Sequence, residues 1–325
     1  MNHRRAVVML GVAIALVAPS AAFAHGGQVI PVATRYAATV TSHPASLHVR
    51  VVDGDRQLWL DVPRADTVVV LGLAGEPYLR FTAEGVAINE RSPTTYLNRS
   101  QPVEPPATAS TRTPPVWRTV SHGRSYRWHE DRLHALALTV RKPRTGTIGP
   151  WTIPLVVNGR AASIRGTLSY RQPPSLLWLW PLPVALACLA AVLRLRSPRI
   201  DRALITTLTL AALAAIVVSH LAQNLHGRPG LAASQLGWLA FACGFSLLMG
   251  ALLRRPRWRS LAALASASYA LAVGLALLPV LRDGVTLTAL PGSVDRLTAV
   301  TALTAAVTTF AVVLTGTTKR GKVAR

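Results

Sequence analysis

The stretch "WTIPLVVNGRAASIRGTLSY", residues 151–170, decides the fold of the first half of the chain. Asn158-Gly159 is the dipeptide most favoured in a two-residue β-hairpin loop, because both positions of that turn take positive φ angles. Segments suited to strands flank the dipeptide on both sides. The stretch therefore predicts two antiparallel strands joined by a tight turn.

More hairpin signals precede this one. Asp53-Gly54-Asp55 separates "LHVRVV" from "QLWLDV", and residues 82–85 separate "YLRF" from "VAIN". "TVVVLG" lies between these pairs, and "HALALTV", residues 134–140, alternates strictly between apolar and polar positions. Short strands at this spacing, with no helical pattern between them, predict an exported all-β domain, an Ig-like antiparallel sandwich, over residues 25–172.

The predicted β domain has one interruption and no cysteine. The Pro-rich segment at residues 101–115 cannot be a central strand, because proline lacks the N–H that the ladder needs. It is either a long surface loop within the domain or a linker between two small β lobes. Both cysteines, Cys188 and Cys243, fall in the C-terminal half, so the domain has no disulfide.

Residues 1–24 have the features of a secretory signal peptide. A basic start precedes an apolar run, and the small residues Ala22 and Ala24 stand at the −3 and −1 positions of a cleavage site before His25. The alternative is an uncleaved first membrane helix. Both interpretations place the segment that follows outside the cytoplasm.

The C-terminal half is predicted to be an all-α domain that crosses the membrane five times. Each of five apolar runs has the length of about 20 residues that a helix needs to span the hydrocarbon layer. Twelve Arg and Lys residues occupy one set of short loops with the C-terminal tail, against three in the other set. This asymmetry places the tail in the cytoplasm of a multi-pass plasma-membrane protein. The runs are 176–195, 203–222, 233–253, 260–281 and 297–316.

The net charge of +22 follows from this topology. Residues 25–172 carry 18 basic and 10 acidic residues, a mild excess that favours an anionic lipid surface. They lack the interleaved basic and aromatic pattern of a nucleic-acid platform, so the expected partner is the lipid bilayer rather than nucleic acid. No phosphate-binding loop, nucleophile elbow, His-Glu-x-x-His or Cys-x-x-Cys motif is present, and we therefore predict that the protein is not an enzyme.

His25 is the first candidate metal ligand. As a mature N-terminus, its α-amine and ring Nδ1 could chelate one ion, and the α-amine titrates near pH 8, so it is available at neutral pH. With one further histidine this makes an all-nitrogen site that suits Cu(II). The alternative is that His25 has no role, since signal peptidase requires only the small residues before it.

The second candidate is "YRWHEDRLHA", residues 126–135. In an extended chain His129 and Asp131 share one face, and His134 lies on the other. A turn at Glu130–Leu133 would let both histidines point at one ion. We expect His129 or His134, or both, to join the His25 chelate, with Asp131 as a further candidate ligand.

Two neighbours of these histidines have alternative roles. Glu130 or Asp131 could orient a ligating imidazole through its second nitrogen, with Arg132 beside them. Alternatively, Arg132 pairs with Glu130 or Asp131 and the histidines are solvated. Three other histidines are weaker candidates: His122 in a turn, and His43 and His48, for which we expect surface positions.

His220 lies within the second predicted span, whereas the arginines of the second half mark the ends of spans. With Asn224 and His226 it forms a polar cluster near the outer end of the second span. The cluster could face the exported domain, or it could be an ordinary interfacial helix end. The spans contain no acidic residue, which argues against a transporter.

The letters around the cleavage site, "AFA" before it and "HGG" after it, resemble the mature start of periplasmic copper-binding proteins of the copper-resistance C type. Those proteins are small β-sandwiches with an N-terminal histidine, and some relatives are fused to multi-span domains of the D type. The resemblance implies copper at His25. Five spans are fewer than a D-type partner is expected to have.

A second resemblance covers more of the chain. Residues 75–98, 126–135 and 149–160 are similar to a group of actinobacterial membrane-anchored envelope proteins whose centre reads Trp-His-Asp-His-Arg-x-His. Asp131 stands where the group has its middle histidine, so one potential nitrogen ligand is an oxygen ligand here. The resemblance implies a shared architecture. The positions that match in type are Trp128, His129, Glu130, Arg132 and His134.

Together these patterns predict an extracytoplasmic metal-binding membrane protein, with copper as the expected ion. Its expected role is metal delivery or tolerance, and its expected partners are other envelope or copper-handling proteins. The alternatives are a cell-envelope interaction or structural protein without a metal and, third, a transporter.

Overall fold

A computed structural model describes residues 32–99, 102–134, 146–185, 187, 197–226 and 233–322. The described chain forms two compact units. One is Arg35–Gln172, and the other combines residues 32–34 with the described residues from Pro173 onward. The predicted signal peptide, His25 and all of the strand predicted at 134–140 except His134 lie outside the described residues.

The unit Arg35–Gln172 is built on two antiparallel sheets. One sheet has seven strands and the other has three. A short helix, α1 (Thr94–Leu97), and a 3-10 turn at Asp131–Leu133 lie between strands. The strands of the described residues are β1 (Ala33–Thr34), β2 (Tyr36–Ser42), β3 (His48–Val52), β4 (Gln57–Asp61), β5 (Val68–Leu71), β6 (Pro77–Thr82), β7 (Gly85–Asn89), β8 (Trp117–Ser121), β9 (Ser125–His129), β10 (Gly146–Val157), β11 (Arg160–Tyr170) and β12 (Val285–Thr286). The larger sheet has the order β2-β11-β10-β5-β6-β7-β8, and the smaller has the order β3-β4-β9.

The predicted β10–β11 hairpin is present. Asn158 and Gly159 join the strands with φ angles of 50° and 79°, the positive values that a hairpin turn of this kind requires. Asp53 and Gly54 do the same between β3 and β4, with φ angles of 59° and 79°. Both turns lie where the turn residues of the sequence predict them, because this preference is local.

One hydrophobic core lies between the two sheets. Leu58 and Leu60 of β4 are fully buried in it, whereas Gln57, Trp59 and Asp61 alternate with them on the outer face. The same core takes in side chains from both sides of the Pro-rich segment. The described residues 102–115 are therefore a loop within one unit and not a linker between two lobes.

The division into seven and three strands departs from the predicted Ig-like arrangement, in which sheets of four and three strands pack together. Three of the strands, β2, β8 and β9, were not expected from turn signals alone. The antiparallel β character is confirmed, and the Ig-like strand order is not.

The second unit is helical. Four of its helices are long and apolar enough to cross a membrane, over Arg199–Leu225, Leu236–Leu253, Arg259–Ala276 and Gly292–Val313. The run predicted as the first span starts with a 3-10 turn at Leu176–Leu179 and a short apolar helix that reaches Ala185, and most of its remainder lies outside the described residues. Four of the five predicted spans are thus present as helices. The helices are α2 (Pro198–Leu225), α3 (Ala233–Leu253), α4 (Arg259–Ala276), α5 (Leu278–Arg282) and α6 (Gly292–Lys322).

Candidate metal centre

The chain reverses direction immediately after β9, and this bend brings His134 back towards His129. Glu130 has an extended backbone, and its side chain accepts a hydrogen bond from the backbone N–H of Arg132 at the start of the 3-10 turn. Asn98 accepts a second one, from the N–H of Asp131, at 2.7 Å. The turn lies within residues 130–133, where the sequence allows the two histidines to converge.

Two imidazoles and one carboxylate meet at this turn. His129 Nε2 lies 3.1 Å from His134 Nε2 and 3.1 Å from Asp131 Oδ1. One ligand atom from each of the three residues lies within 4.8 Å of the other two. The nitrogens of a tetrahedral zinc site lie about 3.3 Å apart, given metal–nitrogen distances of about 2.0–2.1 Å. The two imidazoles therefore have the spacing of ligands to one ion.

Asp55 contacts this group at the second ring nitrogen of His134. Its Oδ2 lies 3.4 Å from Nδ1 of His134, and its side chain is buried. A carboxylate at the second ring nitrogen holds the Nδ1–H tautomer and leaves the Nε2 lone pair for a metal. Asp55 was not among the predicted site residues, although the Asp-Gly-Asp turn that contains it was recognised as a hairpin signal.

Glu130 has a different role from the one predicted for it. It is fully buried and accepts hydrogen bonds from Trp128 Nε1 at 2.9 Å and from Arg132 Nε at 2.6 Å. Arg132 also donates to the carbonyl oxygen of Leu71, in the other sheet. The predicted Arg132–Glu130 ion pair is present, and it holds the turn and joins the sheets. Asp55, not Glu130, contacts the His134 ring.

Burial favours the neutral form of the His129 imidazole. Burial, followed by the nearby His134 ring, lowers the pKa of His129, and the opposing effects of Asp131 and Glu130 are smaller. A neutral ring has the free lone pair that a metal ion requires. The lowered pKa of His129 therefore favours the form of the ring that can bind a metal.

The other histidines of the β unit do not join this group. His43 donates its Nδ1–H to the carbonyl oxygen of Pro44 at 2.9 Å, and His48 lies opposite Asp61 on β3. His122 is exposed, as its position in a turn predicts. His25, the predicted chelating residue, lies outside the described residues, so its place in the site stays a prediction.

The membrane polar cluster is centred on His220. His220 Nε2 lies 2.7 Å from the hydroxyl of Tyr269, and its ring stacks on Trp238 at a centroid distance of 6.4 Å. Asn224 donates to the carbonyl oxygen of His220, while His226 ends α2. The polar members of the cluster were predicted from the sequence. Its aromatic members, Trp238 and Tyr269, were not, because they lie on other helices.

The chain was compared with known proteins in three ways. No protein-family model matches it, and no curated protein and no solved structure matches it either. The two family resemblances drawn from its motifs therefore stay predictions, and its function must be inferred from the residues themselves.

Proposed function

We propose that this membrane protein binds a divalent transition-metal ion through His129, Asp131 and His134, outside the cytoplasm, and that it acts in metal delivery or tolerance. The observation that carries the proposal is the 3.1 Å approach of two imidazole Nε2 atoms beside a carboxylate oxygen. The buried carboxylate of Asp55 at the second nitrogen of His134 supports it, because ligating histidines usually have such a partner.

The donor types narrow the class of ion. Two imidazole nitrogens and one carboxylate oxygen suit Cu(II) and Zn(II), whereas Cu(I) prefers the sulfur of cysteine or methionine. Copper is the ion that the sequence favours, through the proposed His25 chelate.

A titration of the full-length protein in detergent with Cu²⁺ and Zn²⁺ tests the proposal. We expect one ion per chain. His129→Ala and His134→Ala should each weaken binding by at least about 10-fold, because each removes a direct ligand and even outer partners are worth that much. His122→Ala is the matched control, since this exposed histidine lies outside the group, and it should bind as the wild type does. Equal affinity in all four proteins would refute the site.

One observation favours a second candidate function. Trp128, Glu130 and Arg132 form a buried network that reaches the other sheet, so much of the motif serves packing. This suits a cell-envelope interaction or structural module that needs no metal. The same titration separates the two candidates. A module without a metal would bind no ion at this site, so the wild type, His129→Ala and His134→Ala would give the same titration.

A further inference from the structure

Gln57 lies beside the metal group in the three-stranded sheet. Its amide oxygen is buried and accepts no hydrogen bond from any group in the described part of the chain. A buried polar atom without a partner destabilises a protein, because it has lost its hydrogen bonds to water and gained none in return. Such an atom calls for a physical reason, and an ion that supplies the missing contact is one.

The register of the three-stranded sheet places Gln57 next to the metal group. Gln57 on β4 is the direct partner of His129 on β9, and directly opposite side chains lie on the same face with Cβ atoms about 4.5–5.5 Å apart. Leu58, the next residue, points into the core, so Gln57 points outward as His129 does. Asp55, which contacts His134, is only two residues away.

We propose that Gln57 Oε1 is the fourth protein ligand of the ion, a role that rests on the proposed metal-binding function. The ion then has two imidazole nitrogens and two oxygens, one from Asp131 and one from Gln57. An amide oxygen is a hard donor, so its addition selects for a divalent ion and against Cu(I). The expected ion is therefore Cu²⁺ or Zn²⁺. The buried amide oxygen of Gln57 gains its partner when this ion binds.

This role predicts opposite effects on metal affinity and on the stability of the metal-free protein. Gln57→Leu removes the unpartnered oxygen and keeps a side chain of similar size. A residue with a purely structural role would lose stability on this change. A ligand whose amide oxygen has no partner before the ion binds would keep its stability, because replacing an unsatisfied buried oxygen by an apolar group is neutral or favourable.

The test uses full-length protein in detergent, with Zn²⁺ and Cu²⁺ titrations and thermal unfolding after chelation. We expect Gln57→Leu to weaken binding on the order of 10- to 100-fold, the range of effects around metal sites, with an unchanged or higher midpoint of unfolding. Gln57→Glu, which keeps an oxygen donor, should bind at least as tightly as the wild type. Gln172→Leu, the same change at an exposed position, should alter neither quantity.

Each outcome decides the matter. Wild-type affinity in Gln57→Leu means that Gln57 is not a ligand, while the three-residue site stands. No metal binding by the wild-type protein removes the proposed function and this inference together. If Gln57→Leu lowers the midpoint of unfolding, the metal affinity of Gln57→Glu decides. Retained affinity in Gln57→Glu supports the ligand role, and lost affinity overturns it.

Discussion

At the scale of single residues, the cluster depends on which nitrogen of each ring is free. The sequence predicted that one of His129 and His134 supplies a ligand and the other is a bystander, or that both do. Their Nε2 atoms lie 3.1 Å apart, so we expect both to bind the same ion. Asp55 is the residue that keeps His134 in the required tautomer, and this role can be tested separately.

We predict that Asp55→Asn weakens metal binding by about 10-fold, less than His134→Ala does, because it alters the partner of a ligand and not the ligand itself. Metal titration of the purified protein measures the effect. Asp61→Asn, at the end of β4 and opposite His48, is the control and should not change the affinity. An unchanged affinity in Asp55→Asn would show that the 3.4 Å contact has no influence on the site.

Glu76 makes the stability of the β unit depend on pH. Its buried carboxylate accepts hydrogen bonds from the hydroxyls of Ser92 and Thr94, both at 2.6 Å. Burial acts to raise the pKa of Glu76, but the hydrogen bonds from Ser92 and Thr94, with backbone N–H groups, outweigh it and hold the pKa below its ordinary value. The folded state thus binds the proton more weakly than the unfolded chain does.

The stabilisation from Glu76 is therefore complete above the ordinary glutamate pKa of about 4.3 and is lost as the pH falls through the lowered value. We predict that Glu76→Gln lowers stability at pH 7 by about 1–3 kcal/mol and reduces the loss of stability on acidification. Thermal unfolding at neutral and acid pH measures both effects. The exposed Glu84→Gln should behave as the wild type, and an equal acid loss in Glu76→Gln would contradict the assignment.

At the scale of elements, the 3-10 turn at Asp131–Leu133 decides the geometry of the site. The Glu130 side chain of its Arg132–Glu130 ion pair is buried, and Arg132 also donates a hydrogen bond to the carbonyl oxygen of Leu71 on β5. Loss of one partner of a buried pair leaves the other charge without compensation, which destabilises proteins by about 3–5 kcal/mol. The turn therefore positions the residues of the site and also connects the two sheets.

We predict that Glu130→Ala lowers the free energy of unfolding by about 3–5 kcal/mol and also impairs metal binding, because the turn that aligns His129 and His134 loosens. Calorimetric unfolding and metal titration measure the two effects. Glu104→Ala, at an exposed position in the Pro-rich loop, is the control. A small change in stability would mean that the Arg132–Glu130 pair contributes little.

At the scale of the whole molecule, the chain combines a β unit with a helical unit that has four helices of membrane-spanning length. The loop charges predict which side each unit faces. Because loops rich in Arg and Lys tend to stay in the cytoplasm, we expect from the twelve-to-three asymmetry that the C-terminus lies inside and the β unit outside.

We predict that a reporter fused after Arg325 is active only in the cytoplasm and that a tag near Ala107, in the Pro-rich loop, is accessible from outside intact cells. Labelling before and after permeabilisation measures both positions. A tag placed between α3 and α4, near Arg257, provides a second cytoplasmic reference. External labelling of the tail would overturn the orientation and the five-span topology with it.

Local chemistry made much of this structure predictable. The Asn158-Gly159 and Asp53-Gly54 turns form because their residues tolerate positive φ, which is a property of the residues themselves. Spans are predictable for a similar reason, since about 20 apolar residues are enough to specify a membrane helix. The convergence of His129 and His134 was predictable only as one alternative, because it depends on whether the chain bends between them.

The sequence by itself determined the antiparallel β character of the first half, the positions of its main turns, the apolar helices of the second half and the candidate residues His129, Asp131 and His134. Only the tertiary structure decided the seven-and-three division of strands, the burial of Glu130 against Arg132 and the approach of Asp55 and Gln57 to the histidines. The physical reason is distance along the chain. Asp55 and His134 are 79 residues apart, and no local preference specifies which strands pair across that separation.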